Sequence, residues 1–329
     1  KSRVDDESTQ GLIARARSWI FERGYHLTSK MVECILKLLS LLPTRSTFSE
    51  CLALSGFNFY LMFVPDIMHE FELGNFKAFF AMILRILFAF DVDNLTRLNS
   101  HFRRVSTFGR YAIRKFVSNV SSLTNFTAHD YENVLKLAMP VVEGLLPEPL
   151  NTIVLDLLWA CAVWHALAKL RVHTESTLNV LEVSTTSLGI AARRFAKECK
   201  RHNIQELPTE EAALNNTGKK SGNSKGKEKD TGPKQKQLNL QTFKWHNICH
   251  YVEAIRRFGP TDGYSTQIGE LEHQRVKRFY ARTSRKTYAQ QIGQHVRCEK
   301  ILHSITQREA ARRERIASGA SSEARKQGR

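Results

Sequence analysis

The chain has 329 residues, 42% of them hydrophobic and 9% aromatic, enough apolar material to exclude a wholly disordered protein. Its formal charge is +17, and the excess is one-sided: residues 1–215 carry 24 Lys/Arg against 22 Asp/Glu, whereas residues 216–329 carry 25 against 10. A near-neutral body joined to a basic surface points to a polyanionic partner, nucleic acid more often than membrane.

The chain opens Lys1-Ser2-Arg3 with no initiator Met and no apolar run of the kind a secretory signal needs, so an excerpt of something longer is expected. Helical periodicity follows. Trp19 to Phe21 fall in a first helix, and Met31, Cys34, Ile35, Leu38 and Leu39 line a second that stops before Pro43. Phe57 to Val64 is short, aromatic-rich and halted by Pro65, which predicts a strand. From Ile67 one helical pattern runs to about Phe90. Thr127 and Asp130 have capping-box spacing ahead of Tyr131, Val134, Leu135 and Ala138 at i, i+3, i+4 and i+7.

Leu145-Leu146-Pro147-Glu148-Pro149 breaks the chain, and Thr152–Leu170 and Thr174–Cys199 read as two more helices. The apolar stretches Phe79–Phe90 and Val154–Leu170 are interrupted by Arg85 and by Asp156 and His165. Both are shorter than the ~20 residues that cross a bilayer, so they read as buried helices.

Residues 216–237 contain seven lysines, two acids and no apolar residue, the composition of a flexible linker or insertion. Beyond it Trp245, Ile248, Cys249, Val252 and Ile255 recur at helical spacing, and Gly259-Pro260-Thr261-Asp262-Gly263 turns the chain. Thr266 to Ala317 then reads as one long basic helix with a possible break near Gly293, and the tail from Ser318 as frayed. The expected organisation is a helical body (1–215), a Lys-rich linker (216–237), a basic helical segment (238–317) and a tail (318–329), in a mainly α fold with one clear strand. Cys34, Cys51, Cys161, Cys199, Cys249 and Cys298 stand singly. Free thiols in a reducing compartment follow, rather than a disulfide framework.

Four constellations could carry chemistry. Asp66, at the predicted strand-to-helix junction, could hold a divalent cation with His69 one turn on, or could simply cap the helix, the commoner reason for an Asp there. Glu270, His273 and Lys277 share one face of a helix, with Arg275, Arg278 and Arg282 on the next. A carboxylate–imidazole metal pair beside cations is one reading, and a solvated helix with ion pairs such as Glu272–Arg275 is the other. Asp-x-x-His and Glu-x-x-His together also suggest half of a di-iron bundle, for which Glu143, beside Gly144 and Pro147, is a poor further ligand. His246, Cys249 and His250 lie within five residues, but a structural zinc site normally needs a fourth ligand, and Cys249 falls on the apolar stripe, which favours a core role. Arg256, Arg257, Arg275, Lys277, Arg278, Arg282, Arg285 and Lys286, interleaved with Phe279, Tyr280 and Tyr288, suit a phosphodiester backbone. No phosphate-binding glycine loop of the Gly-x-x-x-x-Gly-Lys-Ser/Thr type and no nucleophile elbow occurs.

The phrases FVPDIMHEFELGNFKAFFAMILRIL (63–87), VVEGLLPEPLNTIVLDLL (141–158), WHALAKLRVHTEST (164–177) and RRFGPTDGYSTQIGELEHQRVKRFYART (256–283), with the Glu-Leu-Pro at Glu206, stand within a likeness that runs from roughly Ala14 to Ile305. Together they resemble Plavaka-type transposases of basidiomycete fungi, DDE enzymes related to the CACTA-like and Kyakuja-Dileera-Zisupton elements. The resemblance implies a nuclear protein with an RNase H-like core elaborated by helices, acting on double-stranded DNA at transposon ends, with no membrane partner and with self-association open. It also implies two Mg²⁺ or Mn²⁺ ions held by Asp, Asp and Glu. The Asp-x-x-His motif falls on Asp66 and His69. The closing Glu falls on Glu270, with His273 beside it, in preference to Glu272. The first Asp belongs on an early strand, yet the early acids Asp5, Asp6 and Glu7 lie in a polar segment without strand character. The expectation is therefore an incomplete core: the C-terminal portion of a transposase, lacking the first catalytic Asp, that binds DNA but does not cut it alone, or else a non-catalytic, domesticated remnant.

Overall fold

A computed structural model describes residues 4–52, 55–109, 113, 115–122, 126–212 and 233–327. The fold is mainly α. Two units divide between Tyr264 and Ser265. Residues 238–264, grouped with the basic segment on sequence grounds, thus belong to the first unit. Most of the Lys-rich stretch, residues 216–232, lies outside the described residues.

The first unit begins with α1 (Glu7–Phe21), α2 (Lys30–Leu36) and α3 (Thr47–Leu52). α1 is capped by Asp6, which accepts from the Thr9 amide. Ala16, Val32, Leu36 and Leu41 make a small core of their own here.

Residues 57–64 do not form the predicted strand. The Asn58 side chain accepts from the Tyr60 amide at 3.0 Å and starts a 3₁₀ turn over Phe59–Met62, with Phe59 edge-on to Phe63. Aromatic β-propensity needs a paired neighbour to express itself. Among the described residues only two isolated bridges occur, Phe108 with Ile113 and Gln205 with Gln235.

The long apolar pattern divides in two. Ile67–Phe76 is a π-helix, and α4 (Lys77–Phe90) continues from it. α4 is buried nearly all round: Phe79, Phe80, Met82, Ile83, Leu84, Ile86 and Leu87 are each at most 1% exposed, so it is the axis of the main core. Packed around it are α5 (Asp93–Arg104), α6 (Ala128–Val142), α7 (Leu150–Ala168) and α8 (Glu175–Cys199). The capping boxes at Thr127/Asp130 and Thr174/Thr177 start α6 and α8. By length and apolarity alone Ile67–Phe90 and Leu150–Ala168 could cross a bilayer. Both contribute instead to this core, and each carries a polar group satisfied inside the fold: Arg85 pairs with Glu210 at 2.7 Å, and His165 with Glu72 at 2.9 Å.

The unit closes with α9 (Phe243–Asn247), a 3₁₀ turn at Ile248–His250, and α10 (Tyr251–Phe258). Ile248, Tyr251 and Ile255 are buried there, whereas Cys249 is exposed, contrary to its assignment to the core. The 3₁₀ turn shifts the buried face onto Ile248 and Tyr251 and leaves Cys249 outward.

The second unit is a pair of helices, α11 (Gln267–Tyr280) and α12 (Tyr288–Gln327). The break falls at residues 281–287 instead of Gly293, which sits inside α12, and the helical backbone continues through most of the segment read as a frayed tail. Hydroxyls make that break. Thr283 Oγ1 donates to the Tyr280 carbonyl (2.8 Å), and the Gln291 side chain accepts from the Ser284 amide (2.8 Å) while donating to Thr287 Oγ1 (2.8 Å). Such local bonds compete with the helical ladder more effectively than one glycine weakens it.

Candidate functional site

Asp66 stands one residue before the π-helix and caps it: its Oδ2 accepts from the His69 amide at 3.3 Å and meets His69 Nδ1 at 2.6 Å. The cap reading of the Asp-x-x-His motif is therefore realised, and so is the juxtaposition of carboxylate and imidazole. Asp66 is the more buried partner, with a side chain 14% exposed against 44% for His69.

The π-helix turns further acids inward. Glu70 is buried and accepts from Asn247 Nδ2 at 2.8 Å through Oε1, while its Oε2 is buried without a hydrogen-bond partner. Burial, reinforced by the nearby Asp66 charge, raises the Glu70 pKa, although the Asn247 bond works against the shift. Tyr251 is wholly buried and its hydroxyl has no partner. Its pKa is pushed up by burial first and then by the charges of Glu70 and Asp66.

Glu72, two residues on, binds His165 Nε2 at 2.9 Å and Lys169 Nζ at 3.2 Å, and Lys169 bridges to Glu132 at 3.0 Å. Burial opposes ionisation of Glu132, but Lys169 and Lys136 outweigh it and hold the carboxyl at about 2. Sequence reasoning missed Glu70, Glu72, Glu132, His165 and Lys169. The available signals were the acids Glu70 and Glu72 inside the apolar run 67–87 and His165 inside Val154–Leu170, where an uncompensated charge is costly.

Glu270 and His273 are exposed on α11 in the second unit, one turn apart. Asp66 and His69 belong to the first unit. Among the described residues no group of three or more His, Cys, Asp or Glu side chains comes together as a metal-holding cluster. The carboxylate at Asp66 is hard enough for Mg²⁺ or Mn²⁺, but its Oδ2 is committed to the helix end and to His69, so its local donor set does not fit a two-metal centre by itself.

The eight cations proposed for DNA contact divide by partner. Arg256 binds Glu175 (2.8 Å) and Arg257 binds Glu253 (2.7 Å), both within the first unit. Arg275 pairs with Glu272 and with Glu299, each at 2.7 Å, so the ion-pair reading at Glu272–Arg275 is realised. Lys277, Arg278, Arg282, Arg285 and Lys286 are exposed and have no carboxylate partner among the described residues. Arg297, Lys300, Arg308, Arg312 and Arg313, exposed on α12, extend the positive surface beyond the residues singled out in the sequence. From Ser265 to Arg329 there are 15 Lys/Arg against 6 Asp/Glu. Phe279 is buried in this unit and stacked on His295, so it braces the helix pair and is not available to a base, whereas Tyr280 and Tyr288 are exposed.

Compared with known proteins, the chain matches no family model, no curated protein and no solved structure.

Proposed function

We propose that this chain is the DNA-binding portion of a DDE-type transposase, engaging duplex DNA at transposon ends in the nucleus through the cationic helices α11 and α12. The observation that carries this reading is the set of exposed, carboxylate-free cations Lys277, Arg278, Arg282, Arg285 and Lys286 around one interhelical turn. Positive side chains at the end of α11 (Lys277, Arg278) and in the turn that follows (Arg282, Arg285, Lys286) can neutralise phosphates without reading bases, so binding is strong at low salt and tolerant of sequence.

Asp66 and Glu270 are the residues to which the DDE pattern assigns divalent ions. In that role each would offer carboxylate oxygens to Mg²⁺ or Mn²⁺, which in such enzymes activates a water or a 3′-hydroxyl for attack on the phosphodiester. A second reading, binding without cleavage, is favoured by the engagement of Asp66 with the helix end and His69.

Salt-titrated binding of the full chain to duplex DNA, with a Mn²⁺-dependent nicking assay, tests both. Nicking that Asp66→Asn abolishes establishes the enzyme; salt-sensitive binding with no nicking establishes the remnant. Binding that is absent at 50 mM salt removes both readings.

A further inference from the structure

We propose that His246 and His250 form a site for one transition-metal ion of the borderline class (Zn²⁺, Cu²⁺ or Ni²⁺), independent of any DNA or divalent-ion chemistry at Asp66. The two imidazoles stand one helical turn apart, and their Nε2 atoms converge to 3.3 Å with the ring planes at 66°. Two metal–nitrogen bonds of about 2.05 Å closed on that base subtend about 107°, close to the tetrahedral angle. Both residues are exposed, and neither pairs with a carboxylate among the described residues.

The backbone that carries them is held from its opposite side. Thr242 caps the start of α9 by accepting from the Trp245 amide, and Asn75 Nδ2 donates to the Lys244 carbonyl at 2.9 Å. Trp245 packs edge-on to Phe79, Asn247 donates to Glu70 at 2.8 Å, and Ile248 and Tyr251 are buried. The backbone beneath the pair is thus held by the core before any ion arrives, which removes part of the ordering cost of chelation and leaves the two imidazole rotamers to be ordered.

In the metal-free pair one imidazole donates Nε2–H to the other. Binding needs both Nε2 lone pairs, so the donating ring moves its proton to Nδ1. That tautomer shift conserves protons, and the charge of the ion is retained.

No third His, Cys, Asp or Glu joins the pair among the described residues, so water completes the coordination. Cys249 is not a ligand. It lines a cavity of about 450 Å³ beside His246, with Leu240, Phe243 and Trp245 among the other walls. Neutral imidazole selects this metal class over Mg²⁺ or Ca²⁺, whose preference is for oxygen donors.

The test is Cu²⁺ titration of the metal-stripped full chain, followed by paramagnetic resonance and by tryptophan quenching, since Trp245 adjoins His246. The expected result is one equivalent whose spectrum shows two equatorial nitrogens. His246→Ala and His250→Ala each weaken that equivalent at least tenfold, and Cys249→Ser leaves it unchanged. Both histidines are on the surface, so equal thermal midpoints in the metal-free proteins separate ligand loss from misfolding. A wild-type titration in either histidine variant, or loss of the site in Cys249→Ser, overturns the proposal.

Discussion

Converting Lys277, Arg278, Arg282, Arg285 and Lys286 together to glutamine removes the cations of the α11–α12 turn that have no carboxylate partner, and leaves helix propensity nearly unchanged. If each contacts one phosphate, the slope of log K against log salt falls by about 0.9 per residue, or about 4.5 in total. A fourfold rise in salt, from 50 to 200 mM, should then weaken the parent chain about 500-fold more than the variant. Arg256, Arg257 and Arg275 provide the internal comparison. They already bind Glu175, Glu253 and the Glu272/Glu299 pair, so each must exchange a carboxylate for a phosphate. Their triple glutamine variant should change the slope by less than half as much per residue. Fluorescence anisotropy on a 20-base-pair duplex across that salt range measures both slopes. A quintuple variant within about one unit of the parent slope, or a triple variant with the larger change per residue, refutes the assignment of this turn as the phosphate contact.

Lys169→Met leaves Glu72 and Glu132 short of their shared cation and should cost about 3 kcal/mol in urea unfolding, in the range for a broken buried pair. In the parent chain the Glu132 carboxyl lies at about 2 when folded, against an ordinary value near 4.5. That depression contributes about 3 kcal/mol above the ordinary value and is lost as pH falls from about 4.5 to about 2, so acid unfolding should begin at higher pH in the variant. An unchanged acid midpoint would contradict this account. Glu70 has the opposite sign: its folded pKa is raised, so ionisation costs stability once pH climbs past the ordinary carboxylate value. Glu70→Gln keeps an acceptor for Asn247 and should match or exceed the parent at pH 8, with the advantage gone at pH 4 in paired thermal melts. Gly74→Ala places a Cβ 2.9 Å from the His69 carbonyl and 2.7 Å from Lys244 Cδ, and should cost about 1–3 kcal/mol. Adding Lys244→Ala should recover only part of that loss, because the carbonyl cannot move as a side-chain end can; full recovery would place the clash wholly on Lys244.

Periodicity reveals a helix wherever the stabilising contacts are local or the stripe faces one core. The Thr127–Asp130 box, the apolar stretch that became α4 and the Pro147–Pro149 break satisfy that condition. Phe57–Val64 does not, because its seven aromatic and aliphatic residues state only a preference for a pleated surface. With no strand pairing formed by this segment, the Asn58 side chain settles the matter locally. The division of α11 from α12 was hidden for a related reason: Thr283, Ser284 and Thr287 act through side-chain bonds that hydropathy does not register.

The Asp66 region was legible by residue type and illegible by depth. An Asp before an apolar helix announces a cap, and the cap is there with His69 on it. That Glu70 and Glu72 also point inward depends on the π-helix, whose wider turn puts Ile67, Met68, Glu70, Phe71, Glu72, Asn75 and Phe76 all in the interior. Read at 3.6 residues per turn, the same stretch gives no reason to bury two acids within three residues. Their partners, Asn247, His165 and Lys169, come from α9 and the end of α7, 177, 93 and 97 residues away in sequence. Such a network costs desolvation at every ion and recovers it only if each geometry holds. The network does join elements: Glu70 ties the π-helix to α9 through Asn247, and Glu72 ties it to the end of α7 through His165 and Lys169. Asp66 heads the π-helix, His246 lies on α9 and His250 in the 3₁₀ turn after it, so the carboxylate and the imidazole pair are both carried by elements that this network joins.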